Sequence, residues 1–439
     1  MSAADTIFAL ASGGGRGAVA VLRVSGDATG PIVAKLAGGL PPPRRASLRR
    51  LRDPAGGEVL DHAITLWLPG PASYTGEDSA EFHLHGGPAV VAAVSGALAA
   101  LGARPAEAGE FTRRAFLNGR MDLTEAEGIA DLIAAETEAQ RRQALRQADG
   151  ALARLYGTWS ERLARLLAHQ EAAIEFAEDG LPTDLDARAR AGAGRLRAEI
   201  AAHLADDRRG ERLRDGLLVA ILGAPNAGKS SLLNALAGRE AAIVSARAGT
   251  TRDVVEVRMA LAGVPVTLAD TAGLREAADE IEQEGIRRAR RRAEEADLVL
   301  AVFAADVTPD AETLAWVKQG ALVVANKTDL AAPPAMIGGA APLALSARTG
   351  VGLDALREAL ADAARRLAGT GNAALPTRPR HRAALTEAAG WLAEAERAVL
   401  PELGSEALRA ALRALGRLTG RVGVEDILDI VFRDFCIGK

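Results

Sequence analysis

The chain has 439 residues, with 53 Lys+Arg against 57 Asp+Glu and a formal charge of −4, a balance that argues against bulk electrostatic binding to nucleic acid. Hydrophobic residues make up 49% but aromatics only 3%, so its cores are built from Leu, Val and Ala, which favours helices in a chain long enough for two to four domains. The single cysteine, Cys436, excludes an internal disulfide framework; together with a start lacking a basic leader and no run of eighteen apolar residues, it leads us to expect a soluble cytoplasmic protein with no membrane partner.

Residues 1–119 carry strand-type runs, Ala18-Val-Ala-Val-Leu-Arg23-Val24 and Ala63-Ile-Thr-Leu-Trp-Leu68, punctuated by Gly13 to Gly17, Pro41 to Pro43 and Pro69 to Pro71. This pattern predicts an α+β domain. Arg44, Arg45, Arg49, Arg50 and Arg52 crowd one segment, read as a solvated loop in preference to a phosphate contact. From Met121 the composition turns to Ala, Leu, Glu and Arg. Thr124-x-x-Glu127 has the form of a capping box, and Leu152, Leu155, Trp159, Leu163 and Leu166 fall on one stripe of a long helix. The helical pattern stops near Arg214 and resumes after Pro376 and Pro379, where Leu385, Leu392 and Val399 begin it and Val424, Leu428, Val431 and Phe435 close it. The expected plan is therefore an N-terminal α+β domain (1–119), a helical domain in two parts (120–215 and 371–439), and an inserted α/β P-loop GTPase domain of Ras-like type (216–370). Insertions are tolerated where a host's chain ends lie close together.

The insert holds the chemistry. Leu217 to Leu222 is an apolar run that leads into Gly223-x-x-x-x-Gly228-Lys229-Ser230 and then a helix, a P-loop in its strand-loop-helix context. Backbone N–H groups from Gly223, Asn226, Ala227, Gly228 and Ser231 are expected to surround phosphate oxygens; Lys229 reaches the β/γ-phosphates, and Ser230 ligates Mg²⁺. Asn326-Lys327-Thr328-Asp329 follows another apolar run, and a carboxylate at Asp329 accepts from both N–H groups on guanine's Watson–Crick edge, a pair adenine lacks. Ser346-Ala347-Arg348 is expected to put a backbone N–H on guanine O6. Between them, Gly249-Thr250-Thr251-Arg252-Asp253 reads as a switch and Asp270-Thr271-Ala272-Gly273 as its partner, with Thr251 and Asp270 completing the Mg²⁺ shell and Gly273 sensing the γ-phosphate. The next residue is Leu274, where Ras-like proteins have a water-orienting glutamine; leucine cannot orient water, so another group and another charge must substitute. Asn226 offers a side-chain oxygen for a monovalent cation there.

The chain resembles the tRNA-modifying GTPase family MnmE, also called TrmE, in Asp5-Thr-Ile-Phe-Ala-Leu, Gly17-Ala-Val-Ala-Val-Leu-Arg23-Val-Ser-Gly, Tyr74-Thr-Gly-Glu-Asp, His85-Gly-Gly-Pro88, Gly109-Glu-Phe-Thr-Arg-Arg-Ala-Phe-Leu-Asn-Gly119, the GAPNAGKS loop, Gly249-Thr-Thr-Arg-Asp and Phe435-Cys-Ile-Gly-Lys439. That resemblance implies a homodimer formed through a folate-binding N-terminal domain, taking 5-formyl- or 5,10-methylene-tetrahydrofolate at Arg23, Glu81, Arg120 and Lys439. The family's usual lysine at position 120 is arginine here, which keeps the charge but not its point-like geometry. It also implies K⁺ held by Asn226 and Thr250 side chains and the Ser245 and Arg247 backbone, nucleotide contacts that include Ala246 and Ala248, and Glu282 as the residue that orients water. With the FAD-bearing flavoprotein MnmG, such proteins install an aminomethyl-type group on carbon 5 of the wobble uridine of certain tRNAs.

Two other functions compete. A GTP-switched ribosome-assembly factor would carry an RNA-binding domain after the GTPase, and no GXXG-loop KH pattern occurs here. A folate-dependent one-carbon transferase with a regulatory GTPase differs only in its acceptor.

Overall fold

A computed structural model describes residues 5–175, 185–238, 256–270, 291–369, 371, 373–422, 432, 435 and 438. They fall into two units, one of Met1–Ala130, Gln147–Arg165 and Leu412–Lys439, the other of Asp131–Arg146 and Leu166–Ala411. No described helix is long and apolar enough to cross a membrane.

The first unit is built on a six-stranded sheet ordered β3-β4-β5-β2-β1-β6, from β1 (Ile7–Leu10), β2 (Val19–Ser25), β3 (Ser47–Arg52), β4 (Val59–Leu68), β5 (Ser79–His85) and β6 (Arg104–Pro105). Period-two alternation sends Ala20, Leu22 and Val24 of β2 and Ala80, Phe82 and Leu84 of β5 into a core shared with Ile32, Val33 and Leu36 of α1 (Thr29–Ala37) and Val94 and Leu98 of α2 (Pro88–Ala100). The opposite residues, Val19, Val21 and Arg23 with Glu81 and His83, face away from that core. The arginine-rich segment is not the expected loop throughout: from Ser47 it is the edge strand β3, paired antiparallel with β4. Arginine at alternate positions had hidden the strand, since only Leu51 supplies a fully buried apolar side chain.

After α3 (Glu110–Leu117) comes α4 (Leu123–Ala134). Its capping box lies two residues earlier than expected: the Asp122 N–H donates to Glu125 Oε2 at 2.7 Å, and Asp122 Oδ1 accepts from the Glu125 N–H at 2.9 Å. Thr124 is instead buried, its carbonyl accepting from Gln147 Nε2 at 2.9 Å. Phe432 and Phe435 pack with Leu123 and Ala126 in this unit.

The second unit carries the sheet β12-β11-β10-β7-β9-β8, from β7 (Leu217–Leu222), β8 (Glu256–Leu261), β9 (Val264–Asp270), β10 (Leu298–Ala304), β11 (Leu322–Asn326) and β12 (Leu343–Ala344). All pairs are parallel except the β8–β9 hairpin. The helices α9 (Lys229–Ala237) and Leu353–Ala368 contribute Leu232, Leu233, Leu236, Leu356 and Leu360 to its core. Such continuous apolar strands are what a sheet covered on both faces requires.

Outside the sheets run α5 (Glu138–Ala148), α6 (Ala151–Glu175), α7 (Leu185–Leu204), α8 (Arg209–Asp215), Pro379–Arg397 and Pro401–Thr419. The expected stripe on α6 is buried at Leu152, Trp159 and Leu163, joined by Tyr156. Val399 was expected to extend the stripe of Leu385 and Leu392, but it sits in the turn after the helix and is 86% exposed. Val424, Leu428 and Val431 lie outside the described residues.

The two crossings between these helices and the second sheet are fastened to each other. A Cβ on Gly210 would lie 2.3 Å from the Pro376 carbonyl, so only glycine allows this approach. Arg382 Nε donates to Glu211 Oε1 at 3.0 Å and its Nη1 to the Leu204 carbonyl at 2.8 Å, while Nη2 pairs with Asp206. Asp131 accepts from both Arg214 and Arg378, at 3.0 and 2.8 Å. Asp206 and Glu211 are buried, so R382A takes the arginine from two desolvated carboxylates, of which Glu211 keeps Arg208 at 2.8 Å, and should cost of the order of 3 kcal/mol. By contrast R197A, at the half-exposed pair with Glu396, should cost below about 1 kcal/mol. Urea denaturation of both variants checks this, and equal losses would refute it.

Candidate functional sites

β7 runs straight into the phosphate loop. A Cβ on Gly223 would meet the Val302 carbonyl at 2.2 Å, and one on Gly228, at φ +91°, would meet Asn326 Nδ2 at 2.2 Å; both positions exclude a side chain. Asn226 holds φ +63°, a conformation asparagine tolerates better than most residues. Lys229, buried, donates from Nζ to the Gly223 carbonyl at 2.7 Å and the Ala224 carbonyl at 3.0 Å, so its ammonium lies within the loop. Parallel pairing sets Ile221 of β7 opposite Asp270 of β9, and Ser230 Oγ donates to Asp270 Oδ2 at 2.6 Å. One hydroxyl and one carboxylate at a single point is the sparse hard-oxygen set that suits Mg²⁺, which takes its remaining ligands from water and phosphates.

The base-recognition segments converge on Asn326, at the end of β11. Its Nδ2 donates to the Ala227 carbonyl at 2.9 Å, and its Oδ1 accepts from the Ala347 N–H at 3.0 Å. The N–H expected to serve guanine O6 from this segment is thus hydrogen-bonded to Asn326 here. Lys327 takes φ +64°, its Nζ 3.6 Å from Asp306. Ser346 Oγ donates to Asp329 Oδ1 at 2.7 Å, and Arg348 Nε is 3.9 Å from Oδ2. The Ser346 hydrogen bond, with the Arg348 and Lys327 charges, holds the Asp329 carboxyl below the usual carboxylate range despite some opposing desolvation.

Of the expected nucleotide ligands, the described residues include Gly223, Asn226 through Ser231, Asp270, Asn326, Lys327, Asp329 and Ser346 to Arg348. Ser245, Ala246, Arg247, Ala248, Gly249, Thr250, Thr251, Thr271, Ala272, Gly273 and Glu282 lie outside the described residues, as do Leu274, Cys436 and Lys439.

On the N-terminal sheet, Arg23 and Glu81 are directly opposed across β2 and β5. Arg23 donates to Glu81 Oε1 from Nε at 3.1 Å and Nη2 at 2.8 Å, and His83 Nε2 lies 3.4 Å from Oε2. Burial pushes the Glu81 carboxyl up, but Arg23, with His83 behind it, more than reverses this and keeps it below the usual range. The Arg23 guanidinium also stands 5.5 Å from the Tyr74 ring centroid and 5.8 Å from that of Phe111, two neighbours the sequence had shown only as family marks. Tyr74 is fixed by Thr112, its hydroxyl 2.9 Å from Oγ1, and its turn by Asn118 Nδ2, which donates to the Thr75 carbonyl at 2.8 Å. Two residues on, Gly76 (φ +82°) lets the Arg120 stem approach, since a Cβ there would lie 3.3 Å from Arg120 Cγ. At the chain's other end, a Cβ on Gly438 would lie 2.3 Å from the Leu10 carbonyl; Leu10 pairs with Leu22, the neighbour of Arg23. The residue before Lys439 is thereby set beside this strand pair.

A mainly parallel sheet whose central strand delivers a phosphate loop, and whose neighbours set Asp270 beside Ser230 and Asp329 beside Ser346, is that of a P-loop GTPase. Residues 6–120 match the family model for the GTP-binding protein TrmE N-terminus, and residues 123–436 that for the MnmE helical domain. The chain is 60% identical over 438 residues to a tRNA modification GTPase MnmE of Gluconacetobacter diazotrophicus, covering 99% of this chain and 98% of the relative. It is 59% identical over 441 residues to that of Methylorubrum populi (99% and 98% covered) and 55% over 440 residues to that of Paramagnetospirillum magneticum (99% and 100%). The chain belongs to the family of tRNA modification GTPases MnmE.

Substituting D329N should weaken GTP affinity ten- to a hundredfold, the loss expected for a charged hydrogen bond of about 1.5–3 kcal/mol, and erode discrimination against ATP. Because Ser346 is the main cause of the lowered carboxyl, binding in the unsubstituted chain should persist as pH falls into the ordinary carboxylate range, and S346A should move that acid limb to higher pH. Nucleotide titrations across pH measure both.

Proposed function

We propose that this chain is the GTP-hydrolysing, folate-binding component of a tRNA wobble-uridine modification system. With a flavoprotein partner of the MnmG type, it adds a carboxymethylaminomethyl-type group to carbon 5 of the uridine, using a tetrahydrofolate one-carbon unit for the methylene. The observation that carries the reading is the coexistence, in a member of this family, of the Ser230–Asp270 pair beside the phosphate loop and the Arg23–Glu81 pair between aromatic rings. The domains proposed are 1–119 (folate-binding and homodimerising), 120–215 with 371–439 (helical) and 216–370 (GTPase), in a cytoplasmic protein.

In this reading Ser230 and Asp270, with Thr251, hold Mg²⁺, which neutralises phosphate charge. Lys229 leaves the loop carbonyls for the β/γ-phosphates, and Asp329 reads guanine. Asn226, Thr250, Ser245 and Arg247 hold K⁺ where other GTPases place an arginine, and Glu282 orients the water that Leu274 cannot. Arg23 is rigid, partly desolvated and cationic, suited to the pteridine edge or carboxylates of the folate, with Glu81, Arg120 and Lys439 completing the contacts. Flavin chemistry belongs to the partner: Gly13-x-Gly15-x-x-Ala18 leads into the strand β2, whereas a dinucleotide fingerprint opens a helix.

GTP turnover should be much faster in K⁺ than in Na⁺ and rise with protein concentration; N226A should abolish the K⁺ stimulation, and equal turnover in the two salts would sink the cation assignment. R23A should weaken 5-formyl-tetrahydrofolate binding by at least tenfold in calorimetry while GTP affinity stays constant. Mass spectrometry of tRNA nucleosides from a deletion strain tests the whole reading: an unmodified wobble uridine is expected, and an unaltered nucleoside profile would overturn it.

A further inference from the structure

In Arg44-Arg45-x-x-x-Arg49-Arg50-x-Arg52, five cations sit within nine residues of a chain whose net charge is −4. Elsewhere the described arginines characteristically meet carboxylates, as Arg23, Arg104, Arg114, Arg212 and Arg382 do. Here none of the five has an ion-pair partner among the described residues. Two of the nearby acids are committed elsewhere: Asp53 accepts from the Gly56 N–H at 2.7 Å, and Asp61 from the His85 N–H at 2.9 Å and contacts His85 Nδ1 at 2.7 Å. Arg44 is tied to the Ala72 carbonyl and Arg52 Nη1 to the Gly57 carbonyl, yet their charge is not neutralised. Arg45, Arg50 and Arg52 are exposed, and Arg49 Nε is buried with no hydrogen-bond partner.

Blunting a sheet edge against aggregation explains one or two such charges. It does not account for five of one sign, which repel each other and gain no ion pair from the described residues. Their position suggests what they meet. β3 is the edge of the order β3-β4-β5-β2. Arg50 faces His62, Ile64 faces His83 and Leu66 faces Glu81, so these side chains share the sheet face that α1 and α2 leave open and that ends at Arg23. Three strand spacings, about 14 Å, separate the edge from β2.

We propose that the β3 edge, through Arg45, Arg50 and Arg52, is the docking site for the phosphate backbone of the tRNA, which then lies across the open sheet face with its bases toward the Arg23–Glu81 pair. This rests on the tRNA-modification reading above. Arginine suits the role because its planar fork pairs with phosphate oxygens and keeps its charge at any physiological pH.

The test is binding of fluorescein-labelled tRNA to the full chain, with and without the flavoprotein, followed by anisotropy between 50 and 200 mM KCl. For R45A/R50A/R52A the affinity should fall at least tenfold in low salt, and the slope of log affinity against log salt should flatten by about 2 to 3, near 0.7–0.9 per lost phosphate contact. R50Q and R45Q should each flatten it by about one such step, while R45K/R50K/R52K retains the slope. GTP turnover and the thermal transition should stay as in the unsubstituted chain. Unchanged affinity and slope in the triple alanine variant would overturn the proposal alone, as would loss of flavoprotein association with tRNA binding intact. Failure of the unsubstituted chain to bind tRNA under both conditions would overturn this proposal and undermine the tRNA reading beneath it.

Discussion

The GTPase half depends on the Asn326 side chain. Its amide donates to the phosphate loop at Ala227 and accepts from the base-recognition loop at Ala347, and its Nδ2 occupies the space that a Cβ on Gly228 would need. One buried amide therefore sets the distance between the phosphate loop and the Ser346 to Arg348 loop. Fully satisfied buried polar groups of this kind specify a geometry more sharply than apolar packing does, because a displaced partner leaves an unpaired donor or acceptor in low dielectric. Ser346 extends the same network to Asp329, so that carboxylate is oriented from the loop that Asn326 anchors.

Much of this was legible in the sequence. Most strands of the second sheet are short apolar runs, β7 with Gly216 before it and Gly223 after it, and the phosphate loop that follows β7 has a spacing that leaves few residue choices. What could not be read was local competition between signals. Thr124-x-x-Glu127 fits a capping box as well as Asp122-x-x-Glu125 does, and the choice falls to the second because Thr124 is drawn into the interior beneath Gln147. Val399 continues a helical period, but the helix has ended before it and the next begins at Pro401. The edge strand β3 stayed hidden because its ladder to β4 is a property of pairing, while its composition is that of a loop.

The N-terminal site was legible as residues but not as an environment. Arg23 and Glu81 are far apart in sequence, and only the β2–β5 register makes them a pair. The rings of Tyr74 and Phe111 come from a turn and a helix, elements whose approach no periodicity encodes. The turn is held by Asn118 and by Ser25 Oγ, 2.7 Å from Thr75 Oγ1, so the cation's surroundings are assembled from four separated stretches of chain.

One of those surroundings has a bearing on how the molecule is made. Gly438 closes against the Leu10 carbonyl, and a Cβ on Gly109 would lie 2.4 Å from the Phe432 carbonyl, so the first strand and the start of α3 are completed by residues more than three hundred positions later. Chains emerge from the ribosome from the N-terminus, and domains generally fold in that order. These two contacts cannot form until the whole GTPase fold has been synthesised. The neighbourhood of Leu10 and of the start of α3 is thus completed late, although the residues that frame Arg23 all come from positions 23 to 118.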